Sequence, residues 1–167
     1  DYVQIDKPMQ PVPLLNVGAF YREAGRLEGP DIGCRAVRET GISELALLGE
    51  VALSSRSPRE ALTRVATILP YHCSNEHFQT RSEGDEFLFI DGWSVLFDDE
   101  TLHIVQQFVA TLVGLLCSFA EPKHPPLSRV AIMPHPEHGL AHLAPWFGRP
   151  VEAAQDRALT LHIPASI

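Results

Sequence analysis

Three histidines, His135, His138 and His142, follow a short apolar run at i, i+3 and i+7. If a helix opens at Pro136, His138 and His142 share one face, and neutral imidazoles at that spacing can ligate zinc. Glu137 is adjacent but points elsewhere on a helix, and the His-Glu-x-x-His order of a zinc hydrolase is missing. A strand-to-helix turn carrying exposed histidines accounts for the run without a metal, so no metal ligands are assigned. His103, near the start of a long helical pattern, has the placement of an axial haem ligand; a polar residue near a helix start explains it as well. Ser54 and Ser55 end a predicted helix and read as caps. There is no Gly-x-Ser-x-Gly elbow and no phosphate loop. Asp98-Asp99-Glu100 resembles a carboxylate pair, yet acidic residues belong at a helix N-terminus on electrostatic grounds. Cys34, Cys73 and Cys117 are odd in number and widely spaced, which implies no disulfide framework. They read as small buried hydrophobes in a reducing cytoplasm. No catalytic residue and no cofactor are expected, and the chain is not read as an enzyme.

What remains is the material of a binding pocket. Such pockets are mostly apolar, with a few placed polar groups. Tyr71, Phe87, Phe89, Trp93, Phe97, Phe108 and Trp146 supply aromatic surface, and His72, His103, Gln107 and Arg35 supply polar groups. Trp93, His103 and Gln107 are the leading candidates. They sit on the loop and helix start that leave a predicted hairpin, where they would line one end of a sheet–helix gap. Arg35, Tyr71, His72 and Phe89 complete the set. Packing in a core explains most of the aromatics equally well, and a salt bridge explains Arg35.

These residues need elements to hold them. Residues 1–13 carry Pro8, Pro11 and Pro13 with little pattern and read as an extended arm. Leu14–Leu27 has helical spacing and stops at Gly29-Pro30. Ile42–Leu53 is a second helix. Ser57-Pro58-Arg59-Glu60 is a capping-box start with proline in the first turn, and Pro70 ends the helix that follows. His77–Arg81 and Glu86–Asp91 flank Ser82-Glu83-Gly84-Asp85 and predict a β-hairpin. Phe87, Phe89 and Asp91 share one face of its second strand. Asp98 or Asp99 caps the longest helix, about Asp99–Ala120, which is apolar nearly all round beyond Phe108 and should be central. Leu127–Met133 reads as a strand, Glu137–Ala144 as a short helix, and Val151–Ala154 with Leu159–Ile163 as a final strand pair. Helices and hairpins are segregated. This predicts an α+β fold, with a mainly antiparallel sheet of about five strands, four to five helices and one long central helix.

Composition narrows the classes. The chain has 167 residues and net charge −8, with Lys7 and Lys123 its only lysines. Phosphate neutralisation needs clustered Lys and Arg, and the arginines here are scattered, so no DNA binding is expected of this chain alone. The most apolar run, Phe108–Ala120, is shorter than the roughly 20 residues a membrane span needs. A buried core helix and a cytoplasmic location are expected. The chain opens on Asp1 without Met and closes on Ile167 directly after a strand, which reads as chosen rather than natural ends.

Several segments, in order, carry a family resemblance. They are Gly29-Pro30-Asp31-Ile32-Gly33-Cys34-Arg35, Leu47-Leu48-Gly49-Glu50-Val51-Ala52-Leu53-Ser54-Ser55 and Ser57-Pro58-Arg59-Glu60-Ala61-Leu62, followed by Arg129–Pro136 ending in His-Pro, and Trp146-Phe147-Gly148-Arg149-Pro150-Val151. Together they resemble the N-terminal effector-sensing domain of AraC/XylS-type transcriptional regulators, of the arabinose-binding-like or ornithine-regulator branch. The similarity runs from about Val12 to Ile167. It implies one sensing domain over residues 14–167, a small-molecule effector, a homodimer, and DNA contact only through a C-terminal helix-turn-helix region not present in this chain. At fold level it also implies a distant likeness to haem nitric-oxide-binding and related sensor domains, whose Tyr-x-Ser-x-Arg haem signature is absent here. Cys34 and Glu50 depart from the family pattern, which usually has Leu and an aromatic residue there. For that reason no particular effector is carried over.

Overall fold

The structure, a computed structural model, describes residues 12–120, 122 and 126–167. Most of the expected N-terminal arm therefore lies outside the described residues. Helix α1 (Leu14–Glu28) starts where Pro13 places its carbonyl to accept from the amides of Asn16 and Val17. A four-residue helix that was not anticipated, α2 (Ile32–Arg35), follows at once. Helix α3 (Ala46–Leu53) is shorter than expected because residues up to Leu45 form turns. Helix α4 (Pro58–Ile68) begins with the predicted cap: Ser57 Oγ accepts from the Glu60 amide at 3.2 Å. The Glu60 carboxylate reaches back to the amide of Arg56, at 3.0 Å, rather than to that of Ser57. Pro70 turns the chain into a 3₁₀ turn, Leu69–Tyr71.

Strands β1 (Glu76–Glu83) and β2 (Glu86–Trp93) form the predicted hairpin, and α5 (Asp99–Ala120) is the predicted long helix. Asp98 Oδ1 accepts from the Thr101 amide at 2.9 Å and caps it. Strand β3 is Arg129–Ile132. The fold is α+β, with a five-stranded sheet ordered β1-β2-β5-β3-β4, where β4 is Glu152–Ala153 and β5 is Leu159–Pro164. Every pairing is antiparallel except β3 with β4.

Two expectations are corrected here. Val151–Ala154 and Leu159–Ile163 do not pair with each other. The connecting residues are held by α5 instead of forming a tight turn: Arg157 bonds to the Phe97 carbonyl and to Asp99, and Gln106 Nε2 donates to the Arg157 carbonyl at 2.8 Å. Held there, β5 inserts between β2 and β3, which puts Leu159, Leu161 and Ile163 on the buried face. Nor does a helix span Glu137–Ala144. His135 and Gly139 exchange two backbone hydrogen bonds, at 2.9 and 3.1 Å, and Gly139 takes φ +59°, which a helix cannot accommodate. Helical structure resumes only as a 3₁₀ turn, Ala141–Leu143, and α6, Ala144–Phe147.

Helix α5 lies across the sheet. Val109, Ala110, Val113 and Cys117 pack against Phe87, Phe89, Val130, Ile132, Leu159, Leu161 and Ile163. A smaller apolar cluster, Ile42, Ala52, Ala61 and Val65, ties α3 to α4. The burial of α5 is opposite to its hydropathy. Residues 101–107, which include the polar His103, Gln106 and Gln107, are all buried, whereas Leu112, Leu115 and Leu116 are half-buried and Phe119 is exposed. The helix is long and apolar enough to cross a membrane, but most of its apolar window is buried within the fold.

Candidate functional site

The two apolar clusters do not close on each other completely. Between them is a cavity of about 260 Å³. Its walls are Val17 and Tyr21 from α1, Leu48 and Ala52 from α3, and Leu62 and Val65 from α4. Phe108, Val109, Leu112 and Leu116 from α5 form the opposite wall, and Glu76, Phe78, Trp93 and Phe97 close the sheet end. The half-buried apolar second half of α5 is thus largely the cavity's wall. The volume is at the small end of ligand sites, which run to about 300–1,000 Å³. Glu76 is the only charged side chain among the lining residues, with the Tyr21 hydroxyl and the Trp93 indole as further polar handles.

The sheet end carries the electrostatics. Glu76 stands opposite Trp93 across the hairpin, and Phe78 opposite Asp91, so Glu76 and Asp91 are diagonal neighbours on one face. Asp91 is 0 % exposed. Its Oδ2 accepts from Trp93 Nε1–H at 3.1 Å, while Oδ1 has no partner. Burial raises the Glu76 carboxyl to about 7. Burial, then the nearby Glu76, holds Asp91 well above the ordinary carboxylate range, against the pull of the Trp93 hydrogen bond. Trp93 packs edge-on to Phe97 at 5.4 Å between ring centroids. Burial also raises the Tyr21 phenol.

The seven residues anticipated as ligand contacts fall in different settings. Trp93 lines the cavity. Phe89 is buried behind it and packs edge-on to Phe78 at 4.8 Å. Gln107 clamps α2 to α5: its Nε2 donates to the Pro30 carbonyl at 2.6 Å and its Oε1 accepts from the Cys34 amide at 3.4 Å. Arg35 pairs with Asp31 and Glu28 and bonds to the Glu28 carbonyl. Tyr71 is 89 % exposed and His72 is exposed beside it.

His103 belongs to a second cluster on the other side of α5. Its Nδ1–H donates to the Met133 carbonyl at 2.5 Å, which leaves Nε2 to accept from His142 Nε2–H at 3.0 Å. Both ring nitrogens are therefore engaged. Burial chiefly, offset by the Met133 carbonyl and reinforced by the neighbouring imidazoles, lowers His103 to about 4. The expectation of exposed histidines is corrected in part. His138 is exposed, but His135 is buried because its Nδ1 accepts from the amides of Glu137 and His138, each at 3.1 Å, and so organises the turn. Among the described residues no three His, Cys, Asp or Glu side chains converge on a cation position. Cys34 and Cys117 are buried and unpaired, each with its thiol pushed up to about 12 by burial.

Glu76, Asp91 and Tyr21 were not picked out from sequence. A signal was available for Asp91, an acid on the same strand face as Phe87 and Phe89.

The class defined by this build is an α+β domain with one long helix across a mostly antiparallel sheet and an apolar cavity on the helical side. Residues 1–164 match the family model described as the arabinose-binding domain of AraC transcription regulators, N-terminal, and the chain belongs to that family. Among solved structures it is similar to the crystal structure of the transcriptional regulator CdpR from Pseudomonas aeruginosa, with a TM-score of 0.65 and 17 % identity. That match covers 93 % of this chain and 50 % of the other, so the chain spans half the length of that regulator. At this identity the likeness is one of fold. Comparison with curated protein sequences finds no match.

Proposed function

We propose that this chain is the effector-sensing domain of an AraC-type transcriptional regulator, and that its effector binds in the cavity between the two apolar clusters. The cavity carries this reading. It leaves apolar side chains of α1, α3 and α4 facing those of α5 across a gap, and a small molecule in that gap would contact both sides. A ligand shifts a conformational equilibrium only by as much as it prefers one state. One that bridges the clusters favours the arrangement in which α1, α3 and α4 sit closed on α5. DNA contact in this reading belongs to a part of the regulator outside this chain, in the cytoplasm, and a homodimer presents two such parts to spaced half-sites. The word arabinose in the family description does not carry over as the effector. A monosaccharide needs several hydrogen-bonding groups around it, and this cavity offers few.

Native mass spectrometry of the purified protein, with a denatured control, tests the reading. An added mass that disappears on denaturation, on a dimeric species, supports it. A ligand-free monomer that captures nothing from an effector library, with no change in Trp93 fluorescence, would overturn it.

A further inference from the structure

We propose that the effector is an apolar molecule bearing a single protonated amine, read by the Glu76–Asp91 carboxyl pair. This rests on the sensing function above and adds the ligand's chemical class. The cavity is apolar on every side but one. At that one end Glu76 lines the cavity, and Asp91 lies diagonal to it on the same face of the hairpin. Asp91, fully buried, keeps one oxygen without a partner, and a buried acceptor left unpaired is costly. None of the ion pairs among the described residues involves either carboxyl. One acid, Glu76, thus lines an apolar cavity and a second, Asp91, is buried diagonally beside it, neither with a cationic side chain as partner. Trp93, opposite Glu76 across the hairpin, and Phe97, packed against Trp93, stand at the same end, and aromatic ring faces attract a desolvated cation. An ammonium placed there would donate to Glu76 and stack on an aromatic ring, while its hydrocarbon part filled the gap between the clusters.

The same geometry disfavours the alternatives. A carboxylate ligand would be desolvated in a cavity whose lining offers no cationic side chain to pair with it, which is costly. A neutral alcohol would gain one hydrogen bond and leave the pair's electrostatics as they were. The other titratable groups are Asp91, diagonal to Glu76 on the same hairpin face, and Tyr21 of α1 elsewhere in the lining; the lining residues of α3, α4 and α5 are all apolar. Burial holds protons on the two carboxyls that an ammonium would displace, so amine binding releases protons and tightens as pH rises from 6 toward 8.

The test uses the full chain and three matched probes, phenylbutylamine, phenylbutanol and phenylbutanoate, followed by calorimetry and Trp93 fluorescence in a Trp146→Phe background. The expected result is an amine bound at least about tenfold tighter than the alcohol, with proton release visible as a buffer-dependent heat. Glu76→Gln should reduce amine affinity to that of the alcohol and leave alcohol affinity unchanged. Asp91→Asn, which keeps an acceptor for the Trp93 indole, serves if Glu76→Gln fails to fold. If the alcohol or carboxylate binds as well as the amine, and neither variant alters that order, the amine assignment is wrong while the sensing cavity stands. If no probe of the three binds, the amine assignment is overturned, and the sensing reading is decided separately by the effector-library experiment above.

Discussion

His103, buried, and Glu76, half-buried against the cavity, are titratable groups with opposite consequences for stability. His103 has its folded-state pKa depressed to about 4 from an ordinary 6.5. The unfolded chain then binds the proton more readily, so the stability due to the neutral imidazole is present above about 6.5 and lost as pH falls toward 4. A shift of that size corresponds to roughly 3 kcal/mol, spread over the coupled His103, His135 and His142 rather than owned by one ring. His103→Asn keeps a donor for the Met133 carbonyl and removes the titration. We expect urea denaturation of the wild type to show stability lost with acid at up to about 1.4 kcal/mol per pH unit across that window, and the variant to show a flatter slope. Glu76 is raised to about 7, so the folded state holds its proton more tightly and the associated stability is lost as pH rises from about 4.5 through 7. Glu76→Gln cannot ionise. Its melting temperature relative to wild type should climb between pH 5 and pH 8, and a constant difference would show that this carboxyl is not desolvated.

At the scale of elements, the stops and starts were written locally, while the contacts between elements were not. Ser57, Pro58 and Glu60 lie within one turn of each other, so α4's start was legible. Ser57→Ala should cost about 1 kcal/mol in chemical denaturation, because one helix-terminal amide loses its acceptor. The short helix α2 shows the opposite case. A Cβ on Gly33 would lie 2.2 Å from the Ile104 carbonyl oxygen and 2.7 Å from the Gln107 Cβ. Only glycine lets α2 approach α5 closely enough for Gln107 to bond to both Pro30 and Cys34. Gly33→Ala should therefore destabilise by more than about 2 kcal/mol, in the range of overpacked cores. An unchanged midpoint would mean that α2 can move away freely. Gln106 and Gln107 look like interruptions of an apolar run in sequence. In the fold they are the staples that fix α5 to the end of β3 and to α2.

For the molecule as a whole, the cavity is a deliberate shortfall in packing. Protein interiors are close-packed, and a void between two apolar clusters forfeits contacts that a ligand would restore. Val65→Phe, which projects a ring from α4 into the gap, should change stability by less than about 1 kcal/mol instead of the 1–3 typical of a filled core. It should also abolish effector binding, since the ring takes the ligand's place. A large loss of stability would show that the gap is already closed in solution. Ligand at 100 times its Kd should raise wild-type stability by about 2.7 kcal/mol and leave Val65→Phe unmoved, readable as a shift in melting temperature.

The sequence by itself determined the elements whose signals are local: α1, α4, the β1–β2 hairpin and the full span of α5, together with the α+β class and the family. Caps, prolines and hydrophobic period act over a few residues, and those are the distances at which a chain can be read directly. Only the tertiary structure decided where β5 lies, because its place between β2 and β3 depends on Arg157 and Gln106 meeting across the fold. The candidate site was decided at that level too. Of the residues singled out, Trp93 reaches the cavity, while His103 and Gln107 face other parts of the protein from the same helix. Glu76, at the cavity's end, and Asp91 beside it are 15 positions apart in the chain (76 to 91) and become neighbours only through the hairpin register. A pocket is what remains when helices distant in sequence fail to fill the space between them, and no local pattern of residues encodes that gap.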